Sequence, residues 1–128
     1  MRFLDTSFLV DLLRGAPAAV RKAKLLQEST DLLGTPSPCV AELLRGLRHA
    51  SARNRAEAEA LLDQLEIAPL DERAARRAGE AAAETSGRGR EVAMVDCLVA
   101  GVVLSAEGSL VSRDVDFARI PGLSIETY

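Results

Sequence analysis

The chain has 128 residues, of which 48% are hydrophobic and 27% charged, and its formal net charge is −3. This composition provides a real core and excludes an intrinsically disordered chain, which combines low hydrophobicity with high net charge. The length fits one domain over residues 1–128. The acidic balance disfavours a protein that grips nucleic acid by bulk charge alone, so bound cations would have to assist.

The cysteines and the first residues indicate the compartment. Cys39 and Cys97 are the only cysteines, which excludes a CxxC redox motif and a cysteine zinc site and favours a reducing environment. The start, MRFLDTSFLV, lacks the apolar segment and cleavage site of a signal peptide. The most apolar segment, 92–106, contains Asp96 and is too short to span a membrane. We therefore expect a soluble, cytoplasmic protein without membrane contact.

The hydrophobic pattern predicts strands that alternate with helices. A first strand is expected at 1–4, and two helices follow up to about residue 29, separated by Gly15 and Pro17. Further strands are expected at 31–35, 67–70, 109–112 and 123–125. Helices are expected around 40–47 and 58–65 and at 71–85 and 95–104, with a helical turn at 114–118. This alternation predicts an α/β fold, an open parallel sheet of four to five strands flanked by helices.

Two aspartates fall at the carboxyl ends of predicted strands, which is where open parallel sheets bind their ligands. Asp5 follows the first strand directly. Asp114 follows the strand at 109–112, and Asp116 comes two residues later. A purely structural role remains open for each, because Asp5 could be a helix N-cap and Asp114 could form an Asx turn.

Two further acids lie on predicted helices. Asp96 is the only charge in the apolar segment 93–106, and an unpaired buried carboxylate is very costly. A cation, a cluster of hydrogen-bond donors or an N-cap position would each compensate it. Glu42 lies opposite the apolar stripe of its helix, on a face shared with Arg45, Gly46 and His49, so it faces either solvent or a cleft.

Together these acids match the preference of hard divalent cations such as Mg²⁺ and Mn²⁺ for oxygen ligands. Such ions assist phosphodiester hydrolysis. The sequence lacks the residues that other catalytic mechanisms require. His49 is the only histidine and is expected on the surface, and the chain has neither a GxxxxGK[ST] nor a GxGxxG phosphate loop. Cys39 and Cys97 are expected to be small buried residues without nucleophilic character.

Four segments together resemble the PIN-domain nucleases, and in particular the VapC-type toxins of bacterial type II toxin–antitoxin pairs. The segments are LDTS at 4–7, ELLRG at 42–46, VDCLVA at 95–100 and VSRDVDF at 111–117. Their order and spacing agree with the family from residue 5 to 117. The resemblance implies a PIN-like sheet whose core acids are Asp5, Glu42 and Asp96, with Asp114 as the fourth acid and Asp116 as an auxiliary ligand.

The resemblance also implies the activity and the partners. Members of this kind are Mg²⁺- or Mn²⁺-dependent endoribonucleases that form homodimers and are inhibited by a cognate antitoxin covering the cleft. Ser7 and Ser112 match hydroxyl positions that orient the carboxylates through hydrogen bonds. Candidate RNA contacts are added from the residues themselves, because arginine pairs bidentately with phosphate; they are Arg45, Arg88, Arg90 and Arg113.

Three other interpretations stay open at this stage. One is a housekeeping RNA-processing nuclease of the same family, and another is a non-catalytic interaction module, which the intact acid set disfavours. The third is an aspartyl-phosphate protein. It fits poorly, because Ser7 stands where haloacid dehalogenases carry a second aspartate, and Lys22 and Lys24 lie too early for the lysine of receiver domains.

Overall fold

The structure is a computed structural model that describes residues 1–87, 89 and 91–128. Within these residues the strands are β1 (Arg2–Leu4), β2 (Leu33–Pro36), β3 (Glu66–Ala68), β4 (Ser109–Val111) and β5 (Ser124–Glu126). The helices are α1 (Thr6–Leu13), α2 (Pro17–Glu28), α3 (Ser37–Gly46), α4 (Ala52–Asp63), α5 (Glu72–Ser86) and α6 (Met94–Ser105), and a short 3₁₀ helix, Val115–Arg119, follows β4. The predicted alternation of strands and helices is confirmed.

Two element ends differ from the apolar pattern for local reasons. Helix α4 begins well before the apolar residues that predict it, because Ser51 accepts a hydrogen bond from the backbone N–H of Asn54 and caps an exposed first turn. Strand β3 ends at Ala68 and not at residue 70, because Pro69 lacks the N–H that a ladder requires.

All five strands are parallel, in the order β3-β2-β1-β4-β5. The chain moves in one direction from β1 to β3 and then returns to the other side of β1, so the order reverses between β1 and β4. In open parallel sheets, ligands bind beyond the carboxyl ends of the strands at such a switch point. The order also differs from the 2-1-3-4-5 order of receiver domains, which removes the aspartyl-phosphate interpretation of that type.

The two faces of the sheet carry separate apolar clusters. Phe3 and Leu110 belong to one cluster, whereas their chain neighbours Leu4 and Val111 belong to the other. Successive strand residues point to opposite faces, so the sheet is covered on both sides, as predicted for a parallel sheet. Within the described part of the chain, no helix combines the length and the apolar character needed to cross a membrane.

Helices α5 and α6 pack against each other at close range. Gly101 of α6 faces α5, and a Cβ atom placed on it would lie 2.4 Å from the carbonyl oxygen of Ala74 and 2.8 Å from Cβ of Ala78. Only a residue without a side chain allows this approach. The contact fixes α6, and therefore Asp96 in its first turn, against the rest of the fold.

Candidate metal centre

Asp5 is the first residue after β1, at the carboxyl end of the central strand. Leu4 pairs with Val111 of β4, and the backbone N–H of Asp5 donates to the carbonyl of Val111 at 3.1 Å. The pairing of β1 with β4 therefore continues one residue past the ladder. It brings Asp5, which is only 5% exposed, to the segment that follows β4.

Three uncharged donors surround the carboxylate of Asp5. The hydroxyls of Ser7 and Ser112 donate to its Oδ2 at 2.9 and 2.7 Å, and the thiol of Cys39 lies 3.8 Å from Oδ1. Although Asp5 occupies the N-cap position of α1, its side chain makes no capping hydrogen bond. The capping interpretation is therefore wrong for the Asp5 side chain, which is held by the two serines that the sequence singled out.

Glu42 reaches the same region from α3, which begins directly after β2. Cys39 and Glu42 are three residues apart and so lie on one face of the helix. The Oε1 atom of Glu42 accepts a hydrogen bond of 2.8 Å from the hydroxyl of Thr6, the residue next to Asp5. Gly46, one turn further on, has open space where a side chain would stand.

Asp96 lies in the first turn of α6 and is half-buried. The N-cap position belongs to Ala93, so the N-cap interpretation of Asp96 is wrong. Burial of the carboxyl group, together with the negative charges of Asp114 and Asp5 among others, raises the pKa of Asp96 to about 6. Besides burial, the carboxylates of Asp114, Asp5, Glu42 and Asp116 therefore lie near enough to Asp96 to repel its charge.

The segment after β4 supplies two more acids. The carboxylate of Asp114 accepts a hydrogen bond of 2.9 Å from the backbone N–H of Asp116 and caps the 3₁₀ helix. The Asx-turn interpretation is thus correct for the backbone. It does not exclude the cluster, since one carboxylate oxygen each of Asp96, Asp114 and Asp116 lie within 4.8 Å of one another. Asp116 also lies 3.4 Å from the guanidinium of Arg119.

The donor set of this centre suits a divalent cation of the Mg²⁺ or Mn²⁺ type. Among the described residues, Asp96, Asp114 and Asp116 form the close group of carboxylates, and Asp5 and Glu42 lie outside it. Asp5 is linked to Asp114 through the hydroxyl of Ser112, and the charges of both Asp5 and Glu42 act on Asp96. Converging carboxylates repel one another, as the raised pKa of Asp96 indicates, and a hard cation would neutralise that repulsion. The residues present therefore fit the cation that the sequence pattern predicts.

The candidate RNA-binding arginines have different surroundings. Arg45 is exposed on α3 and lines a cavity of about 420 Å³ together with Glu42. Arg113 forms a two-point ion pair with Asp11, its Nε lying 2.6 Å from Oδ2. The predictions for Arg88 and Arg90 fall on residues outside the part of the chain that the structure describes.

The remaining predictions concern His49 and the cysteines. His49 is exposed, as expected. Cys39 and Cys97 are buried free thiols, also as expected. Burial, together with the negative charge of Asp5, raises the pKa of Cys39 to about 12, so Cys39 is a protonated donor and not a nucleophile.

Sequence reasoning missed four residues around the centre. The sequence predicts only a small buried residue at Cys39, and it gives no role to Thr6, although Thr6 lies between Asp5 and Ser7. Asp11 and Tyr128 also have no predicted role, because the contacts of Asp11 with Arg113 and Tyr128 span 102 and 117 residues of sequence. Only Thr6 carried a local signal, its place within the LDTS segment.

A doubly covered parallel sheet with acids converging at its switch point defines the class of protein. The chain belongs to the PIN domain family, whose sequence model matches residues 2–123. The resemblance inferred from the four short segments is therefore confirmed. Comparison with curated protein sequences gives no match.

Solved structures similar to this chain include members of VapBC pairs. A chain of DNA-bound VapBC from Salmonella typhimurium is 29% identical, with a TM-score of 0.86 over 98% of this chain and 96% of that one. A chain of VapBC2 from Rickettsia felis, bound to a promoter DNA fragment, has 23% identity and a TM-score of 0.89, covering 99% and 98%. Mycobacterium tuberculosis VapC20, described as a sarcin-ricin loop cleaving toxin, has 22% identity and a TM-score of 0.68, covering 92% and 93%.

Proposed function

We propose that the chain is a Mg²⁺- or Mn²⁺-dependent endoribonuclease that acts as the toxin of a toxin–antitoxin pair. The observation that carries the proposal is the cluster of the Asp96, Asp114 and Asp116 carboxylates in a PIN domain, with Asp5 hydrogen-bonded to the neighbouring Ser112. Membership in the family and similarity to VapBC structures support the choice of a toxin over a housekeeping nuclease.

The cation would be held by Asp5, Glu42, Asp96 and Asp114. Asp116 would contribute less, because its carboxylate already lies beside Arg119. When bound, Mg²⁺ or Mn²⁺ polarises the phosphodiester, favours deprotonation of a water molecule and stabilises the leaving oxygen.

The uncharged residues around the acids would orient them. Ser7 and Ser112 hold one oxygen of Asp5 in place through hydrogen bonds, and Thr6 does the same for Glu42. Donors without charge fix the direction of a carboxylate without neutralising it, so its affinity for a cation is kept. In this arrangement the site is preorganised and needs little rearrangement to bind the ion.

The RNA backbone would pass beside Glu42. Arg45 lines the same cavity as Glu42 and is exposed, so its guanidinium is available to a phosphate next to the scissile bond. Arg113 is a weaker candidate than expected, because two of its nitrogens are committed to Asp11.

The proposed function also implies two protein partners. A cognate antitoxin that inserts a cationic side chain among the carboxylates would replace the cation and block cleavage, in keeping with the VapBC pairs to which the chain is similar. A homodimer would cover apolar surface at the start of α6, where Met94 is 59% exposed and Val95 40% exposed. Light scattering at micromolar concentration tests the dimer, and a monomer there would refute it.

The test of the activity is cleavage of a labelled RNA by the purified protein. We expect cleavage in Mg²⁺ or Mn²⁺, none in excess EDTA, and no requirement for Zn²⁺. Asp5→Asn, Glu42→Gln and Asp96→Asn should each abolish cleavage with unchanged helical content, and Asp116→Asn should do less. Cleavage undiminished in EDTA, or full activity in a folded core variant, would contradict the proposal.

A further inference from the structure

Three residues outside the acid cluster connect α1 with the segment that follows β4. Arg113 stands between Ser112 and Asp114, and its Nε and Nη2 donate to the two carboxylate oxygens of Asp11 at 2.6 and 3.3 Å. Asp11 lies on α1 and is only 14% exposed at its side chain. A bidentate pair of this kind fixes direction as well as distance.

Tyr128 completes the arrangement from the other end of the sequence. Its hydroxyl donates to Oδ2 of Asp11 at 2.7 Å, so the Asp11 carboxylate receives hydrogen bonds from two sides. The ring of Tyr128 packs edge-on against Phe8, with centroids 4.9 Å apart and planes at 79°. Phe8 is fully buried, so the aromatic contact gives Tyr128 a rigid support.

Helix α1 is therefore attached to the segment 112–114 at two places. The first attachment is the hydrogen bond between Ser112 and Asp5 at the start of the helix. The second is the pair between Arg113 and Asp11, which lies one helical turn after Ser7. Ser112 is also held by its backbone N–H, which donates to the carbonyl of Glu126 at 3.0 Å, so the second attachment orients the part of the segment that lies beyond Ser112.

We propose that Asp11, Arg113 and Tyr128 act as a clamp that positions Asp114 against Asp5, although none of the three touches the cation. The inference rests on the proposed metal site and adds residues that act on it from a distance. It also gives Arg113 a different role from the RNA contact that the sequence suggests.

The main test uses two variants that preserve charge. Arg113→Lys keeps the positive charge of the side chain but removes the planar guanidinium that makes two hydrogen bonds. Tyr128→Phe keeps the aromatic ring that packs on Phe8 but removes the hydroxyl. The readout is the dissociation constant for Mn²⁺, measured by titration in the absence of RNA and well below the melting temperature of each variant. We expect about 10-fold weaker binding for Arg113→Lys, at the lower end of the effect of residues that orient metal ligands. Tyr128→Phe should show a smaller change in the same direction.

Arg76→Lys is the matched control. Arg76 pairs with Glu72 at 3.1 Å on the exposed surface of α5, so the substitution changes an arginine–carboxylate pair that touches none of the acids of the centre. It should leave the dissociation constant for Mn²⁺ unchanged. In a cycle of Asp11→Asn and Arg113→Lys, the double variant should bind Mn²⁺ no more weakly than the weaker single one, because both changes break one pair.

The outcomes separate the competing roles. A lower melting temperature with unchanged Mn²⁺ binding would mean that the three residues only stabilise the fold, and it would overturn the clamp. A raised KM for RNA with unchanged Mn²⁺ binding would make Arg113 an RNA contact and would overturn it equally. Failure of the wild-type protein itself to bind Mn²⁺ would refute the proposed function, and the clamp with it.

Discussion

The hydroxyl oxygen of Ser112 links Asp5 to Asp114. It lies 2.7 Å from Oδ2 of Asp5 and 3.0 Å from the backbone nitrogen of Asp114. Because a hydroxyl has one proton, Ser112 donates to Asp5 and accepts from Asp114. One buried atom therefore sets the relative position of two acids that come from neighbouring strands.

Removal of this hydroxyl should disturb the centre without unfolding the chain. We expect Ser112→Ala to weaken Mn²⁺ binding and RNA cleavage by about 10- to 100-fold, the usual cost of losing a group that orients a metal ligand. Ser109→Ala is the matched control, since Ser109 bonds Glu126 at the other end of the same strand. Equal Mn²⁺ binding by the two variants would argue against a positioning role for Ser112.

Asp96 should lower the stability of the metal-free protein. The pKa of Asp96 is raised from the unfolded value of 3.8 to about 6. Ionisation of Asp96 therefore lowers the free energy of unfolding as pH rises through this range, fully so above pH 6 and not at all below 3.8. After discounting for the solvent around this half-exposed group, the cost above pH 7 is about 1 kcal/mol. In EDTA at pH 7.5, Asp96→Asn should therefore melt about 3 to 6 °C higher than the wild type.

Two further conditions check the same variant. At pH 4 in EDTA the difference in melting temperature should shrink towards zero, because the wild-type carboxyl is then largely protonated. In excess Mn²⁺ the order should reverse, because the wild type gains about 2.7 kcal/mol at 100 times its dissociation constant and the variant gains less. Equal metal-induced shifts in both proteins would exclude Asp96 as a ligand.

Arg45 should contribute one phosphate contact. The salt dependence of binding to single-stranded RNA has a slope of about −0.7 per phosphate neutralised, so Arg45→Gln should make that slope less steep by about 0.7. Binding is measured in the Asp5→Asn background, in which cleavage is expected to be abolished. Arg73→Gln makes the same charge change on the exposed surface of α5 and should leave the slope unchanged. Equal slopes for the parent protein and both variants would mean that Arg45 does not contact an RNA phosphate.

Two helical glycines should respond in opposite ways to alanine. Gly101→Ala places a Cβ atom against the backbone of α5 and should cost about 1 to 3 kcal/mol of unfolding free energy. Gly79 is exposed on α5 with nothing within 4 Å of a new Cβ atom, so Gly79→Ala should stabilise by about 0.5 to 1 kcal/mol. Urea unfolding of both variants tests the close packing of α5 on α6, and a neutral Gly101→Ala would contradict it.

Much of the fold can be predicted from local sequence pattern, because β1, β2 and β4 are largely buried and α3 and α5 are amphipathic. Asp5 and Asp114 could be placed from sequence, since the carboxyl ends of parallel strands meet at one edge. The start of α4 could not, because its first turns are exposed and polar and carry no apolar period. The end of β3 depends on Pro69 and not on the apolar pattern, which continues to Leu70.

The acids of the centre were predicted better than the groups that hold them. Carboxylates in an apolar environment are conspicuous, whereas the thiol of Cys39 and the hydroxyl of Thr6 are compatible with any packed position. The ion pair between Asp11 and Arg113 joins residues 102 positions apart. The hydrophobic periodicity of a sequence gives no information on contacts over such a separation. The existence of this ion pair depends on the strand order, which the sequence pattern leaves open.

The most direct test of the central claim is the anomalous difference map of a crystal grown or soaked with Mn²⁺. We expect a single strong peak, or two adjacent peaks, within coordination distance of the carboxylate oxygens of Asp5, Asp96 and Asp114, with Glu42 facing the ion. Mn²⁺ bound only at other carboxylates, or no ordered Mn²⁺ among these residues at millimolar concentration, would contradict a metal-dependent nuclease centre at this place.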